Sequence, residues 1–431
     1  MQEATNKPEG NRSKIAVLSL FLTIFVDAAG LALIFPILTP LFINNSTDLF
    51  NAATPIEVRY YVYGLVLAMY PLMMFLGSPF LGALSDKYGR KPTLLVCLLG
   101  NLFGLIITGA GVSLNSISII LLGRIICGIT AASLPIAQAA IIDMSTEQTK
   151  SRNISIITAA NAVGFSIGPV IGGVFSTDIL LSHVFSYATP FYITAVLPLL
   201  TFLLIVFSFK ETYPGNRSIK LNLFSAMVNI YYAFKIHQTR LPIFILGIFL
   251  IGYYMFFNYL SAYSLQVFQF DSLMESVLLT YFSVFFAISL LLIIPAVTKR
   301  VSLRKSLLLG IIPQPILIAM IICFENIWVF WSCVALMAIV VPSVYVVILS
   351  ILSNETEREF QGRIMGVSSS INSLAWGIAP LMSAFLQPIL TVLPFMVAVV
   401  ILTTGSLLSI KYSNGVGLRE QEDNELCSVA E

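Results

Sequence analysis

Long apolar stretches alternate with short polar stretches along the whole chain. A helix needs about 20 apolar residues to cross a bilayer, and the pattern predicts twelve such helices. The first stretch follows basic residues, as a signal peptide does, but it continues to Ile43 and is long enough to span. The predicted spans are 14–43, 60–82, 93–112, 117–142, 153–176, 188–209, 241–268, 275–297, 303–323, 326–352, 364–387 and 391–412. The sequence therefore predicts an all-α membrane protein.

The basic residues fall in alternate loops. They lie in the N-terminal tail, at 87–91, at 150–152, from 210 to 240, at 299–305, at 358–363 and in the C-terminal tail. The opposite loops hold Arg59 as their only Lys or Arg. Because short cytoplasmic loops retain Lys and Arg, we expect both termini in the cytoplasm, and a bacterial inner membrane as the location.

The composition excludes several classes of protein. With 58% hydrophobic residues, 10% charged residues and a mean hydropathy of +0.92, the chain is too apolar for a water-soluble globule. A net charge of +2, with no basic run interleaved with aromatics, argues against a nucleic-acid partner. The five cysteines form no CxxC pair, and no phosphate-binding GxxxxGKS/T motif is present. We therefore expect no metal, no cofactor, no ATP-driven step and no enzyme activity.

An internal repeat predicts two halves. An arginine, an asparagine, two small residues and a proline recur at the same spacing in both. They are Arg152, Asn161, Gly164, Gly168 and Pro169 in the first half, and Arg363, Asn372, Ala375, Ala379 and Pro380 in the second. A parallel repeat places six helices beside six, with the substrate path at the seam. The predicted parts are residues 1–210, a cytoplasmic linker at 211–240, residues 241–412 and a disordered tail at 413–431.

The linker itself has a helical pattern. Apolar residues recur at helical spacing at Leu223, Phe224, Met227, Ile230, Tyr231 and Phe234. This spacing predicts an interfacial helix on the cytoplasmic leaflet, with a plain solvated linker as the alternative.

A charged turn, Gly82–Lys91, separates the second and third predicted spans. Its glycines free the backbone for a tight turn and its basic residues fix the side, so it is at least a topology anchor. The pattern GxLxDxxGRK also resembles the signature loop of the major facilitator superfamily. The resemblance implies that Arg90 reaches Asp143 and that Asp86 faces the start of the eleventh span. The implied cytoplasmic latch comprises Gly82, Asp86, Gly89, Arg90, Lys91, Asp143, Arg152 and Arg363.

Three glycines four residues apart, Gly164, Gly168 and Gly172, form one face of the fifth predicted span. Glycines at this interval allow two helices to pack closely in lipid, and a simple packing face is one interpretation. With Pro169, the pattern also resembles the motif of the antiporter branch of the superfamily. That resemblance points to export.

Two charged residues lie deep inside predicted spans, where an unpaired charge is costly. Asp27 in the first span resembles the acid of tetracycline-exporter-like drug:proton antiporters, and Arg124 matches the RxxxG motif of the fourth span. By depth the two side chains can meet. We expect them to couple transport to protons, with a structural salt bridge as the alternative.

Polar and aromatic residues within the spans mark the expected substrate path, although each can equally serve packing. They are Tyr70, Gln138, Asn161, Tyr253, Tyr254, Asn258, Tyr281, Asn372 and Trp376. Abundant aromatics with few charges favour an amphipathic or aromatic cargo.

The combined prediction is a monomeric, proton-coupled exporter of a small amphipathic organic molecule, working by alternating access in a lipid bilayer. Its partners are the small-molecule substrate and protons. Proton symport that imports a nutrient or a metal chelate is one alternative. A non-transporting sensor on the same fold is another.

Overall fold

A computed structural model describes residues 10–43, 49–51, 53–176, 186–219, 221–222, 227, 230, 237–356 and 361–429. Within these ranges the chain is helical and contains no strand, which confirms the all-α prediction. The helices of the first half are α1 Gly10–Ala32, α2 Phe35–Ile43, α3 Ile56–Tyr88, α4 Arg90–Ser113, α5 Ile117–Ile129, α6 Ser133–Met144, α7 Glu147–Val174 and α8 Thr189–Ser208. Those of the second are α9 His237–Phe268, α10 Ser272–Ile288, α11 Ile294–Thr298, α12 Leu303–Ile311, α13 Pro313–Cys323, α14 Ile327–Asn354, α15 Gln361–Leu386 and α16 Leu393–Val429.

Each of the twelve predicted spans contains helix. Eleven spans in the described part of the chain are long and apolar enough to cross a membrane. The remaining span, α15, has 26 residues but is less apolar, because serines and Asn372 occupy its middle. Two spans of the second half are interrupted next to a proline. Pro313 begins α13 in the ninth span, and Pro295 follows a π-helical turn at Ser289–Ile293 in the eighth.

The chain divides into two compact units. The first contains residues 1–54, 69–225 and 270–280, and the second contains residues 55–68, 226–269 and 281–431. The division passes through α3 and α10. The first turns of α3 belong to the second unit and the rest of α3 to the first, whereas the first turns of α10 belong to the first unit and the rest to the second. The two six-helix halves stay a prediction from the sequence repeat.

In the first unit, the predicted glycine face of α7 packs against α1. A Cβ atom at Gly164, Gly168 or Gly172 would lie 2.5–2.6 Å from a backbone carbonyl oxygen of α1 or of the residue that follows it. These oxygens belong to Phe25, Ala29 and Leu33, which are also four residues apart. The two backbones touch along three turns, a contact that only glycine permits.

In the second unit, Gly64 of α3 makes a similar contact. A Cβ atom there would lie 2.7 Å from the carbonyl oxygen of Pro380 and 2.4 Å from the Cβ of Ala384, both on α15. The sequence analysis did not single out Gly64, since it lacks a partner glycine at a four-residue interval.

Two predictions concern segments at the edges of the described chain. Four residues of the predicted interfacial helix, 223, 224, 231 and 234, lie outside the described residues, while Met227 and Ile230 are helical. The last helix continues to Val429, through the tail predicted to be disordered. Glu, Gln, Leu and Arg in this stretch favour helix, which the low hydropathy of the tail does not reveal.

Candidate functional site

A buried polar cluster surrounds Asp27 in the first unit. The side-chain Nδ2 of Asn101 on α4 donates to Asp27 Oδ1 at 2.9 Å. Ser133, at the start of α6, lies beside the same carboxylate. Neutral polar groups on two neighbouring helices, α4 and α6, therefore face this mid-span acid.

Arg124 lies nearby but binds differently from the prediction. Its side chain is buried, at 3% exposure, and its guanidinium carbon lies 4.7 Å from the centre of the Tyr70 ring. The predicted contact between Asp27 and Arg124 is therefore wrong for this structure, because Asp27 binds Asn101 and Arg124 stacks on Tyr70. Tyr70 lies within electrostatic range of both charged groups. Depth along the spans placed the two charges at one level, but helix rotation sets which side chains meet.

The RxxxG spacing explains the position of Arg124. A Cβ atom at Gly128 would lie 2.4 Å from the carbonyl oxygen of Tyr70, so α5 touches α3 at this glycine. Arg124 is one turn earlier on the same face of α5, which brings its guanidinium over the Tyr70 ring. Cation–π contact partly replaces the hydration that Arg124 loses, while its Nε has no hydrogen-bond partner in the described structure.

A second cluster lies at the charged turn between α3 and α4. Arg90 Nη1 donates to Asp86 Oδ1 at 2.6 Å, and Arg90 Nε donates to Asp143 Oδ2 at 3.2 Å. The Arg90 guanidinium also lies 4.9 Å from the centre of the Tyr213 ring. The structure thus brings together three residues of the predicted latch. Contact of Asp86 with the start of the eleventh span stays a prediction.

Glu211, which the sequence analysis missed, caps this turn. Its carboxylate accepts the backbone N–H groups of Arg90 at 2.8 Å and Lys91 at 3.0 Å. It also accepts the N–H groups of Thr212 and Tyr213. A carboxylate at a helix N-terminus satisfies unpaired donors and opposes the helix dipole. Glu211 therefore fixes the start of α4, and with it the backbone of Arg90.

Two glycines with positive φ allow the linker to lie against the turn. Gly89 has φ 108° and Gly215 has φ 81°. A Cβ atom on Gly215 would lie 2.5 Å from the carbonyl oxygen of Lys87, and the N–H of Asn216 donates to the Asp86 carbonyl at 2.9 Å. The first residues of the linker are therefore bound to the signature turn.

The other predicted latch residues do not join the Arg90 cluster in the described part of the chain. Lys91 Nζ donates to the Val206 carbonyl at 2.9 Å. Gly82 has open space where a Cβ would lie, and Arg152 is exposed. Arg363 is in α15, but its side chain lies outside the described residues.

An aromatic cluster in the second unit contains several predicted cargo residues. The Tyr254 and Trp376 rings stack with centres 5.3 Å apart and planes within 9°. The Tyr254 hydroxyl donates to Asn372 Oδ1 at 2.9 Å, and Tyr253 packs 4.9 Å from Tyr254. Asn258 Nδ2 donates to the Tyr254 carbonyl at 2.7 Å. These contacts fix a flat aromatic surface beside an amide.

The structure adds Tyr345 to this cluster and separates Tyr281 from it. Tyr345 on α14 interacts electrostatically with Tyr254 and lines an open groove of about 410 Å³ with Ser350 and Met365. Tyr281 instead packs edge-on against Trp331, 5.0 Å away, which is a packing role. Of the remaining predicted cargo residues, Gln138 and Asn161 are half-buried in the first unit.

A polar contact also joins the end of α14 to α16 in the second unit. The Tyr412 hydroxyl donates to Glu355 Oε1, just beyond the end of α14. Burial raises the pKa of Glu355, and this effect outweighs the opposing influences of Tyr412 and Arg304. In the sequence, Ser409-Ile-Lys-Tyr412 repeats Ser208-Phe-Lys-Glu211, so Tyr412 stands where the first half has the capping glutamate.

The fold and the buried charges define the class as a multi-pass membrane transporter. Residues 20–380 match the Major Facilitator Superfamily, and the chain belongs to this family. It is 27% identical to the class E tetracycline resistance protein of Escherichia coli over 376 residues, which cover 86% of this chain and 87% of the relative. It is 33% identical to the class H tetracycline resistance protein of Pasteurella multocida over 200 residues, which cover 46% of this chain and 45% of the relative.

Two solved structures share the fold. The human organic anion transporter MFSD10 (TETRAN) superposes with a TM-score of 0.69 at 19% identity, over 92% of this chain and 99% of that chain. A bacterial homologue of the human lysosomal transporter Spinster, in an inward-facing and unoccupied conformation, superposes with a TM-score of 0.70 at 13% identity, over 94% of this chain and 98% of that chain. At these identities the likeness shows the fold alone.

Proposed function

We propose that this transporter exports a small amphipathic organic molecule in exchange for protons. The observation that carries the proposal is Asp27, a mid-span acid that accepts a hydrogen bond from Asn101 at 2.9 Å and lies in the same unit as the buried Arg124, whose guanidinium covers the Tyr70 ring. Ionisable residues inside a membrane are costly and are typical of ion and proton pathways. Similarity to tetracycline resistance proteins over most of the chain supports export as the direction.

Coupling follows from how Asp27 is bound. Its present donors are neutral and accept either protonation state with a local rearrangement, whereas a direct ion pair with Arg124 would hold it charged. A protonated Asp27 would leave Arg124 on the Tyr70 ring. A charged Asp27 would draw Arg124 toward it, and this difference between the two states would move α1 against α5.

The cargo surface is the stack of Tyr254 and Trp376 beside Asn372. Aromatic faces bind flat, apolar ring systems, and the amide orients one polar edge of the cargo. Tetracycline, a fused-ring amphipathic molecule, is the first compound to test because it appears in the names of these relatives.

Everted membrane vesicles with an acidified lumen test the proposal. Addition of cargo should cause cargo uptake and an alkaline shift of the lumen, since protons leave as cargo enters. The same vesicles preloaded with cargo test symport, which would make cargo and protons leave the lumen together. If neither cargo nor protons move while the compound binds, the protein is a sensor and the proposal fails.

A further inference from the structure

An apolar groove lies on the second unit between three helices. Its walls are α11 with the preceding π-turn and α12, and its floor is α14. The cavity measures about 110 Å³, and its lining includes Ile293, Val297, Leu309, Ile339, Val340 and Val347. A cavity of this size with aliphatic walls stays dry and takes apolar guests.

The hydroxyl groups in the lining do not make the groove polar. Thr298 donates to the Ile294 carbonyl at 2.8 Å, and Ser343 donates to the Val340 carbonyl at 2.6 Å. Ser306, the third hydroxyl in the lining, donates to the Val301 carbonyl at 3.5 Å. Each of the three hydroxyl protons is therefore used on a nearby backbone carbonyl and is not offered to a guest.

The groove is next to side chains that the membrane surrounds. Leu309, in its lining, is 59% exposed, and Leu291 and Leu292 of the π-turn are each 66% exposed. The floor is fixed by the close approach of α12 to α14, because a Cβ atom on Gly310 would lie 2.4 Å from Ser343 Oγ. An empty groove loses dispersion contacts along its walls. In a bilayer, the molecule available to fill this groove is a lipid acyl chain.

The turn that joins the two walls is basic. Lys299 and Arg300 follow α11 directly, and Lys305 is in the first turn of α12. All three are exposed, and none forms an ion pair with another described residue. The sequence places this turn on the cytoplasmic side, where basic residues attract the anionic headgroups of the inner leaflet.

From the apolar groove and its basic end together, we infer a binding site for an anionic phospholipid. One acyl chain occupies the groove between α11 and α12, and the phosphate lies against Lys299 and Arg300. The lipid fills the gap that the π-turn leaves and thereby holds α11, α12 and α14 together. The lining of the groove contains none of the residues of the Tyr254–Trp376 stack, and it does not contain Asp27.

Native mass spectrometry of the purified full chain tests the site, with dioleoyl phosphatidylglycerol and dioleoyl phosphatidylcholine as probes. The parent should retain phosphatidylglycerol preferentially. The double variant Lys299→Gln/Arg300→Gln should bind it about thirtyfold more weakly, since each basic residue near an anionic surface contributes about fivefold. The matched control is Arg240→Gln/Lys411→Gln, which neutralises two exposed basic residues elsewhere in the same unit.

The acyl chain is tested by filling the groove. Val297→Phe should weaken binding of both lipids, whereas Leu292→Phe, outside the lining, should not. Each variant is first compared with the parent for its unfolding temperature without added lipid, and only variants with the parent value are used. Equal phosphatidylglycerol binding by the parent and the Lys299/Arg300 variant would overturn the inference. So would an equal loss in the control pair, or displacement of the lipid by glycerol phosphate, which has no chain.

Discussion

The carboxylate of Glu211 lies where a side chain on Gly89 would be. A Cβ atom built on Gly89 falls 2.5 Å from Glu211 Oε2, and the backbone of Gly89 has φ 108°. The glycine of the signature turn therefore serves the linker as well as the turn, because it opens the helix N-terminus to an acid 122 positions later in the chain.

Glu211→Ala should destabilise the turn and release Arg90 from Asp86 and Asp143. We expect a loss of about 2 kcal/mol, since a charged cap with several backbone donors is removed. Ser350 lines the open groove of the second unit, near the end of α14 that the sequence predicts to be cytoplasmic. A cysteine introduced at this position is therefore the reporter for exposure of that side. Labelling should rise in Glu211→Ala, Arg90→Ala and Asp86→Asn, and should not change in Lys87→Gln, which removes a charge of the same turn. Equal labelling in all variants would exclude a latch at this turn.

Gly168→Ala should impair transport, and Gly366→Ala should not. A Cβ atom at Gly168 would lie 2.6 Å from the Ala29 carbonyl oxygen, whereas nothing lies within 4 Å of one at Gly366. The backbone of α1 must move to admit even one methyl group, at a cost of about 1–3 kcal/mol. Gly168→Leu should abolish transport, and Ala379→Gly, which removes bulk, should preserve it. Normal transport by Gly168→Leu would mean that α1 and α7 separate freely.

Tyr70→Phe should retain the stability of the Arg124 site, and Tyr70→Leu should lose about 1–2 kcal/mol of it. Phenylalanine keeps the ring face that binds the guanidinium, and leucine does not. Arg124→Lys should weaken transport less than Arg124→Ala, because a charge remains on the ring. Thermal unfolding of each variant measures the first pair, and initial transport rates measure the second. Equal unfolding temperatures for the two Tyr70 variants would contradict the ring contact.

The stability of the second unit should depend on pH through Glu355. Burial raises the pKa of this group above its value in the unfolded chain, which is about 4.3. The folded protein therefore holds the proton more tightly, so this contribution to stability is full below about pH 4.3 and is lost as the pH rises through the folded pKa. Glu355→Gln should show a smaller fall in unfolding temperature from acid to neutral pH than the parent. Exposed Glu325→Gln is the control, and a parent-like slope in Glu355→Gln would contradict the assignment.

The sequence predicted the helices well because bilayer thickness imposes one length and one hydropathy on every span. Repeated glycines likewise predicted the α1–α7 contact, since spacing alone defines a helix face. The sequence could also predict that Asn372 and Trp376 share one face of α15, because they are four residues apart.

Contacts between side chains from different helices were harder to predict from the sequence. Asp27 and Arg124 share a depth, but the rotation of α4 brings Asn101 to the acid instead, and hydropathy carries no information on rotation. Glu211 lies in a polar linker, where an acid has no distinguishing pattern. Its role depends on Gly89 and on a chain reversal after α8 that only coordinates reveal.

Proton-driven transport by the Asp27→Asn variant tests the central claim most directly. Asparagine keeps the size and the polarity of the side chain and removes its proton, with Asn101 still available as a partner. In everted vesicles with an acid lumen, the variant should bind cargo and exchange it across the membrane, but it should not accumulate cargo against its gradient. Accumulation equal to that of the parent would show that protons are coupled elsewhere.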